Sequence, residues 1–525
     1  MGKNYLQLWQ FGGIFMKKQS LIKGTVILGS AGIISKFLGL FFRWPLQMLV
    51  GDEGVGYYQM SFPLYMFFVA AASGIPVAVS KMVSERNAIG DYEGIIQVLR
   101  KSLLLMFILG TGFTAVLLIF SNPIIHFLKW DRKSYYSLVA IAFAPMFISI
   151  MSAFRGFFQG LQNMNYTAVS QIVEQIGRVI VGVGLAYLLL PKGIEYSAGG
   201  AALGAAAGGL FGGIYLIIKY IPVRREINVK VRDNRDILSK LLYIAIPVSL
   251  GAAVSSIMSL IDSALVPQKL LEAGFTYKDA AILYGQLTGK AFVLINIPLT
   301  ISAALCASLM PIIAESHVLN RRLDVINKVD LSFKLSMVIA LPSMLGLYTL
   351  AYPILNLIFP GQSAGSSILQ YSALSVPFII LVQTSTAILQ GVGYYIRPVF
   401  NLSLGCIVKV VLTLFLVAIP YVNIYGAVCG SIAGYFVTCV LNIVFLVKKL
   451  KITVNYSEIV IKPAFASIFM IIAVVIIYMC VYNYTVSSRI ACFLAIISGF
   501  IIYIPLVIIF KIFKYSYIKN KIFKR

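Results

Sequence analysis

Apolar runs of about twenty residues recur from one end of the 525-residue chain to the other. A run of that length spans the hydrocarbon core of a bilayer as a helix, roughly 30 Å thick. Lipid offers backbone amides no hydrogen-bond partner, so each spanning segment must be helical. Candidate spans fall at 22–49, 56–84, 95–120, 135–160, 166–190, 198–220, 240–266, 282–314, 329–358, 367–391, 397–420, 424–447, 461–482 and 489–513. The expected fold class is therefore an all-α polytopic membrane protein with about 14 transmembrane helices. Composition agrees: 60% of the residues are hydrophobic and 12% are charged, against about 25% charged in soluble domains.

A net charge of +25 would point to nucleic acid in a soluble protein. Here Lys and Arg cluster in the connections, as in "RREINVKVRDNRD" (Arg224–Asp236), Arg321–Arg322, "KKLK" (Lys448–Lys451) and the terminal "KNKIFKR". The turns on the other side are poor in Lys and Arg, and one of them, "GDEG", is acidic. That asymmetry predicts a multi-pass protein of the plasma membrane with both termini cytoplasmic. The basic tails either lie against anionic headgroups or serve topology alone. No nucleic-acid motif stands out. Residues 1–15 differ from the short basic tail that begins "MKKQSLIKG" at Met16, an alternative start. The first apolar run is followed by many more, so no cleavable signal peptide is expected.

Cys306, Cys406, Cys429, Cys439, Cys480 and Cys492 lie in apolar segments without metal spacing and are read as buried free thiols. His126 and His317 form no ligand cluster. No metal or cofactor is expected.

The chain repeats itself. "APMFISIMSAFRGFFQG" from Ala144 parallels "VPFIILVQTSTAILQG" from Val376. Pro145 matches Pro377, Gln159-Gly160 matches Gln390-Gly391, and Arg178 matches Lys409. Gly200, Gly204 and Gly208 line up with Gly426, Gly430 and Gly434. Six spans recur in the same orientation, the pattern of parallel repeats with a substrate at their interface. The expected organisation is a cytoplasmic N-terminal tail (1–21), an N-lobe of six spans (22–220) and a basic cytoplasmic linker (221–239). A C-lobe of six spans (240–447), the two extra spans with their preceding loop (448–513) and a basic cytoplasmic tail (514–525) complete it. The glycines four apart suit close helix packing. No phosphate-binding GxxxxGK[ST] occurs, so the chain carries no ATPase motor of its own.

Eight charged residues fall inside spans: Lys36, Arg43, Arg155, Arg178, Lys290, Lys409, Asp262 and Glu174. Each charge at mid-membrane costs about 2.5–3.5 kcal/mol even on the lenient insertion scale, so most must face a wet interior. Lys36 and Arg43, seven residues apart, share one helix face, roughly 10 Å apart along the axis. Six basic residues against two acidic ones make that interior attractive to anions, and Arg with Lys suits phosphate. Lys36, Arg43, Lys290, Arg178 and Lys409 are the candidate substrate-binding residues. Asp262 and Glu174 are candidates for coupling to a cation, with a helix–helix hydrogen bond and an intrahelical pair as their structural alternatives. Glu174 and Arg178 stand at the i,i+4 spacing of such a pair. Arg155, near a span end, reads as snorkelling to the interface. Prolines inside spans (Pro63, Pro76, Pro247, Pro298, Pro342, Pro377) supply kinks or hinges.

"GDEGVGYYQMSFPLYMFFVAAASGIPVAVSKMVSE" and "RGFFQGLQNMNYTAVSQIVEQIGRV" resemble the stage V sporulation protein B family. That family belongs to the polysaccharide transporter branch of the multidrug/oligosaccharidyl-lipid/polysaccharide flippase superfamily. The resemblance covers nearly the whole chain. It implies a two-lobed, fourteen-helix carrier that is not an enzyme. Such a carrier flips undecaprenyl-pyrophosphate-linked peptidoglycan precursor, lipid II-like, to the outer leaflet by alternating access, for cell wall or spore cortex synthesis. Related lipid II flippases carry a basic pair in the first helix, and "SKFLG" places Lys36 on its first position, with Arg43 near the second. Their further arginine in the second helix has no counterpart in "YMFFVAAASG". In those relatives the last two helices form a groove for the lipid tail. The implied partners are the lipid-linked oligosaccharide, membrane lipids, a coupling cation (Na+ or H+) and cell-wall synthesis enzymes. Two other functions stay open: a flippase for a teichoic acid or exopolysaccharide unit, and a membrane glycosyltransferase or polymerase on the same lipid carrier. The second needs paired acidic residues in sizeable outer loops. The loops at 121–134 and 267–281 are short and hold only Asp131, Glu272 and Asp279.

Overall fold

The computed structural model describes residues 21–226, 236–319, 321–451 and 455–512. The N-terminal tail with Met16, the middle of the 221–239 linker and the C-terminal tail lie outside the described residues. Among the described residues there is helix and no strand. They divide into two compact units, up to Ala264 and from Leu265.

The first unit comprises α1 (Leu21–Ala72), α2 (Gly74–Ala88), α3 (Tyr92–Ile119), α4 (Ser121–Phe127), α5 (Tyr135–Ile141), α6 (Ala144–Gly160), α7 (Met164–Leu189), α8 (Ile194–Glu226) and most of α9 (Asp236–Glu272). The second holds α10 (Tyr277–Gly285), α11 (Phe292–Val318), α12 (Arg322–Thr349), α13 (Ala351–Ile358), α14 (Ser366–Ala373) and α15 (Val376–Gly391). It continues with α16 (Ile396–Leu416), α17 (Ile424–Leu450), α18 (Lys462–Thr485) and α19 (Ser488–Ile509).

Eleven helical segments among the described residues are long and apolar enough to cross a membrane, or twelve if the bent pair α14–α15, which turns by 44°, is one span. The expected fourteen is not reproduced as a count, for two local reasons. The first two expected spans are counted as one 59-residue segment, Ser30–Ala88, because α1 runs on through the kink at Gly51 and is followed at once by α2. The span expected at 240–266 lies on α9, some of whose side chains are outside the described residues. Large apolar side chains such as Phe37, Ile180, Leu188, Phe415 and Phe500 point outward, more than 60% exposed in the chain alone. Unpaired apolar surface of that extent is what a lipid-facing surface requires. Of the six cysteines, Cys306, Cys439 and Cys492 are buried as expected, whereas Cys429 and Cys480 are exposed. An apolar run marks a thiol as shielded from water, but it does not separate a helix face in the core from one turned to lipid.

The "GDEG" turn is a kink rather than a loop. Gly51 has φ 62° and ψ −168°, a region that only glycine enters cheaply. Its carboxylates pin the bend. Gln47 Nε2 donates to Asp52 Oδ1 at 2.6 Å. The Tyr57 hydroxyl engages Glu53 Oε1 at 2.9 Å and Asp131 Oδ2 at 3.2 Å. Lys133 pairs with Glu53 at 3.5 Å. Next to Asp131, Trp130 Nε1 donates to the Ser263 carbonyl of α9 at 2.8 Å, so the same corner also holds α9.

Within each unit one helix pair packs at the closest distance a backbone allows, and the register is the same in both. A Cβ added to Gly204 of α8 would lie 2.8 Å from the Arg178 carbonyl oxygen of α7. One added to Gly430 of α17 would lie 3.1 Å from the Lys409 carbonyl oxygen of α16. These are the residues that the sequence comparison paired.

Gly51→Ala meets no neighbour, since nothing lies within 4 Å of the added Cβ. Its cost is therefore backbone strain alone, about 1–3 kcal/mol. Thermal melting of the purified variant should show a lowered midpoint, while Gly112→Ala, also in open space but on ordinary helix, should not.

Candidate functional site

The site is built where α1 and α7 meet. Gly182, one turn beyond Arg178 on α7, comes so near α1 that an added Cβ would lie 2.7 Å from the Phe42 ring. Phe42 is the neighbour of Arg43. This approach brings Arg43 and Arg178 within electrostatic reach of each other, with Tyr58 beside both. Among the described residues no carboxylate stands at ion-pair distance from either arginine, although Glu174, held by Arg155, is within electrostatic reach of Arg178. In a low-dielectric interior two like charges raise each other's energy, and a bound anion relieves both.

Aromatic rings line the arginines. Phe42, Tyr58, Phe62 and Tyr65 run along α1 with successive centroids 5.9, 5.5 and 5.6 Å apart. The Arg178 guanidinium carbon stands 6.0 Å from the centroids of both Phe62 and Tyr65, at the edge of cation–π range. These rings hold a guanidinium in place without cancelling its charge. Sequence reading missed them. "YYQMSFPLY" looks like ordinary apolar helix, although its aromatics sit three and four residues apart on one face.

The intrahelical pair expected between Glu174 and Arg178 does not form. Glu174 instead accepts from Arg155 Nη2 of α6 at 2.9 Å, with both side chains about 15% exposed. Arg155 Nε also donates to Ser170 Oγ at 2.8 Å. Arg155 is thus not snorkelling: a carboxylate and a hydroxyl inside the helix packing outcompete the distant headgroups.

The other candidates lie elsewhere. Lys36 is on α1, but its side chain is outside the described residues. Asp262 is buried on α9 at 7% exposure and is not among the groups that face Arg43. In the second unit, Lys290 sits on a π-helical turn, Gln286–Ala291, and is fully buried. Its ammonium donates to the carbonyls of Gln362 at 2.7 Å and Ala364 at 3.1 Å and stands 6.0 Å from the Phe359 ring. It fastens the 359–365 turn. Lys409 is 3% exposed, its stem packed against α17 at Gly434. Of the five proposed substrate-binding residues, the structure brings together Arg43 and Arg178. A further cation that sequence reading passed over, Lys334 of α12, pairs with Asp330 at 2.9 Å and with Glu458, tying α12 to the turn before α18. Among the described residues no cluster of three or more His, Cys, Asp or Glu is placed to hold a metal.

Lys290→Met should behave as a structural lesion. It leaves the carbonyls of Gln362 and Ala364 without their charged donor, at a cost of about 1.5–3 kcal/mol. The measurable result is a lowered melting midpoint with ligand affinity unchanged in the folded fraction.

Comparison with known proteins shows the family and the fold. Residues 21–317 match the family described as "Polysaccharide biosynthesis protein". The chain is 30% identical to Stage V sporulation protein B of Bacillus subtilis (strain 168), over 84% of this chain and 86% of that protein. It is 28% identical to Lipid II flippase MurJ of the same organism, over 81% and 82%. Among solved structures, Lipid II flippase MurJ in an inward closed conformation aligns with a TM-score of 0.71, at 16% identity, over 93% of this chain and 99% of that one. An inward-facing multidrug resistance MATE family transporter of the MOP superfamily aligns with a TM-score of 0.66, at 17% identity, over 82% and 98%.

Proposed function

Because the chain belongs to the polysaccharide biosynthesis protein family, we propose that its Arg43–Arg178 pair receives the pyrophosphate of a lipid-linked saccharide during transfer across the membrane. The chain is a multi-pass membrane transporter of flippase type and not an enzyme. The finer reading is a flippase for undecaprenyl-pyrophosphate-linked peptidoglycan precursor, moving it from the cytoplasmic to the outer leaflet of the plasma membrane. The carrying observation is that Arg178 stands against the Phe62 and Tyr65 rings with no carboxylate at ion-pair distance among the described residues, within electrostatic reach of Arg43. A pyrophosphate offers oxygens to both guanidinium forks at once. Lys36, seven residues before Arg43 on α1, would extend that cationic face.

Alternating access would carry the headgroup across, with the lipid tail remaining in the bilayer. Two lobes related as parallel repeats suit that mechanism, and the shared register of Gly204 with Arg178 and Gly430 with Lys409 supports such a relation. Asp262, buried on α9, and Glu174, held by Arg155, are the candidates for coupling to Na+ or H+. Both termini are assigned to the cytoplasm, and a place beside cell-wall synthesis enzymes and a role in sporulation follow the similarity to Stage V sporulation protein B.

Reconstitution with labelled lipid II tests the proposal. Arg43→Gln and Arg178→Gln should each reduce translocation at least about tenfold, the loss expected for a charge-assisted contact, while the protein remains folded. Lys36→Ala should also stop translocation. Unchanged flipping in all three would remove the pair from the mechanism. Preferential transfer of a teichoic acid or exopolysaccharide precursor would keep the mechanism and change the cargo.

A further inference from the structure

Two arginines compete for one carboxylate in the first unit. Glu174 precedes Arg178 by four residues on α7, with the acid N-terminal to the base, the favourable order for a pair along a helix. Yet Glu174 is held by Arg155 at 2.9 Å across the α6–α7 contact. The hold has two points, because Arg155 Nε bonds Ser170 Oγ one turn earlier on α7 at 2.8 Å. The Ser170 hydroxyl is oriented in turn by donating to the Thr167 carbonyl at 2.7 Å. Arg178 stands 6.0 Å from the rings of Phe62 and Tyr65, with Glu174 within electrostatic reach but not at ion-pair distance.

The second unit supplies an internal control. The offset that pairs Gln159 with Gln390 and Arg178 with Lys409 also pairs Arg155 with Thr386, Ser170 with Asn401 and Glu174 with Gly405. There the corresponding contact is neutral. Asn401 donates to Asn442 at 2.8 Å, and Asn442 reaches Thr386 at 3.4 Å. Where the carboxylate is missing, the arginine that would restrain it is missing too.

We infer that Arg155 is a positioning residue that holds Glu174 back from an ion pair with Arg178, so that the Arg178 guanidinium stays open to an arriving anion. The inference rests on the reading of Arg43 and Arg178 as an anion site. Without Arg155, a single rotamer change brings Glu174 onto Arg178 and cancels half the charge of the pair. Arg155 itself touches no ligand.

Calorimetric titration of the detergent-solubilised full chain with farnesyl pyrophosphate tests this. Arg155→Gln should weaken binding about tenfold, the scale of one uncompensated charge at close range in a partly screened site. Arg155→Lys, which keeps a cation at Glu174, should bind nearly as the native chain does. The double variant Arg155→Gln/Glu174→Gln should recover affinity, because the competing carboxylate is gone. A merely structural role for Arg155 would lower the melting midpoint in the single and double variants alike, without that recovery. Should Arg155→Gln fail to fold, Ser170→Ala removes one anchor without altering charge and should weaken binding about two- to threefold, less than the charge-assisted bond alone is worth because Arg155 keeps its ion pair with Glu174. Native affinity in Arg155→Gln, or in Ser170→Ala where the first variant is unfolded, overturns the inference if Arg43→Gln and Arg178→Gln bind weakly. So does a double variant as weak as the single one. If Arg43→Gln and Arg178→Gln bind as the native chain does, the anion-site reading fails and this inference falls with it.

Discussion

The close approach of α7 to α1 at Gly182 sets the geometry of the cationic groups in the first unit. Without a side chain there, the Phe42 ring can lie against the α7 backbone, and the residues beside the contact, Arg43 and Arg178, are pushed into each other's field. On its other side α7 is clamped to α8 through glycines that meet the Glu174 and Arg178 carbonyls. Helix packing in a bilayer gains little from the hydrophobic effect between helices, so small residues that allow dense van der Waals contact must supply the adhesion. The same contacts leave α7 little freedom to move its arginine away from α1. The rigidity that stabilises the bundle therefore also maintains an electrostatically unfavourable juxtaposition.

Three different solutions to buried positive charge coexist in this chain. Lys290 is enclosed and bonded to backbone carbonyls, which solvate the ammonium as water would. Arg155 is matched with a carboxylate and a hydroxyl at hydrogen-bond distance, so the group is close to neutral. Arg178 has the Phe62 and Tyr65 rings and Glu174 within electrostatic reach, but no carboxylate at ion-pair distance among the described residues, and it acts on Arg43. Removing one member of a buried pair typically costs about 3–5 kcal/mol because a bare charge remains. The third arrangement approaches that bare state by construction. Such a cost is tolerated in functional sites, where the ligand supplies the missing partner.

Much of the architecture was legible because the bilayer allows so few solutions. Apolar runs of spanning length had to be helices, and the described residues are helical without strand, although the count of fourteen is not reproduced. The landmarks Arg178 and Lys409 were matched by aligning the stretches around Gln159-Gly160 and Gln390-Gly391, and the glycines of the next helices followed in the same order, because backbone-to-backbone packing leaves a mark in residue type that side-chain packing does not. What could not be read was which neighbour a charge would choose. Local spacing favoured Glu174 with Arg178, but a guanidinium nineteen residues upstream, on another helix, had a second anchor in Ser170. Lys290 resembled a lumen residue because a π-helical turn rotates it into the protein, and no sequence rule used here marks that extra residue per turn. The aromatic wall was hidden for a related reason. Tyr and Phe are so common in apolar helices that their alignment carries no signal until a cation is found beside them.

The two helix pairs, α7–α8 and α16–α17, separate what a packing register determines from what it leaves free. Their glycines meet equivalent backbone atoms, so the helices have the same spacing and phase. The side chains projected from that common frame then differ as a set. Arg155, Ser170 and Glu174 in one unit stand where Thr386, Asn401 and Gly405 stand in the other. The ionic clasp bridges two helices and the amide one runs through Asn442 across three, but only the ionic one requires its charges to balance. A carboxylate gained alone would neutralise the neighbouring cation, and an arginine gained alone would remain bare in the membrane. The clasp is therefore stable as a whole or absent as a whole. Glu174 and Arg155 are better understood as one feature added to the first unit than as two separate charged residues.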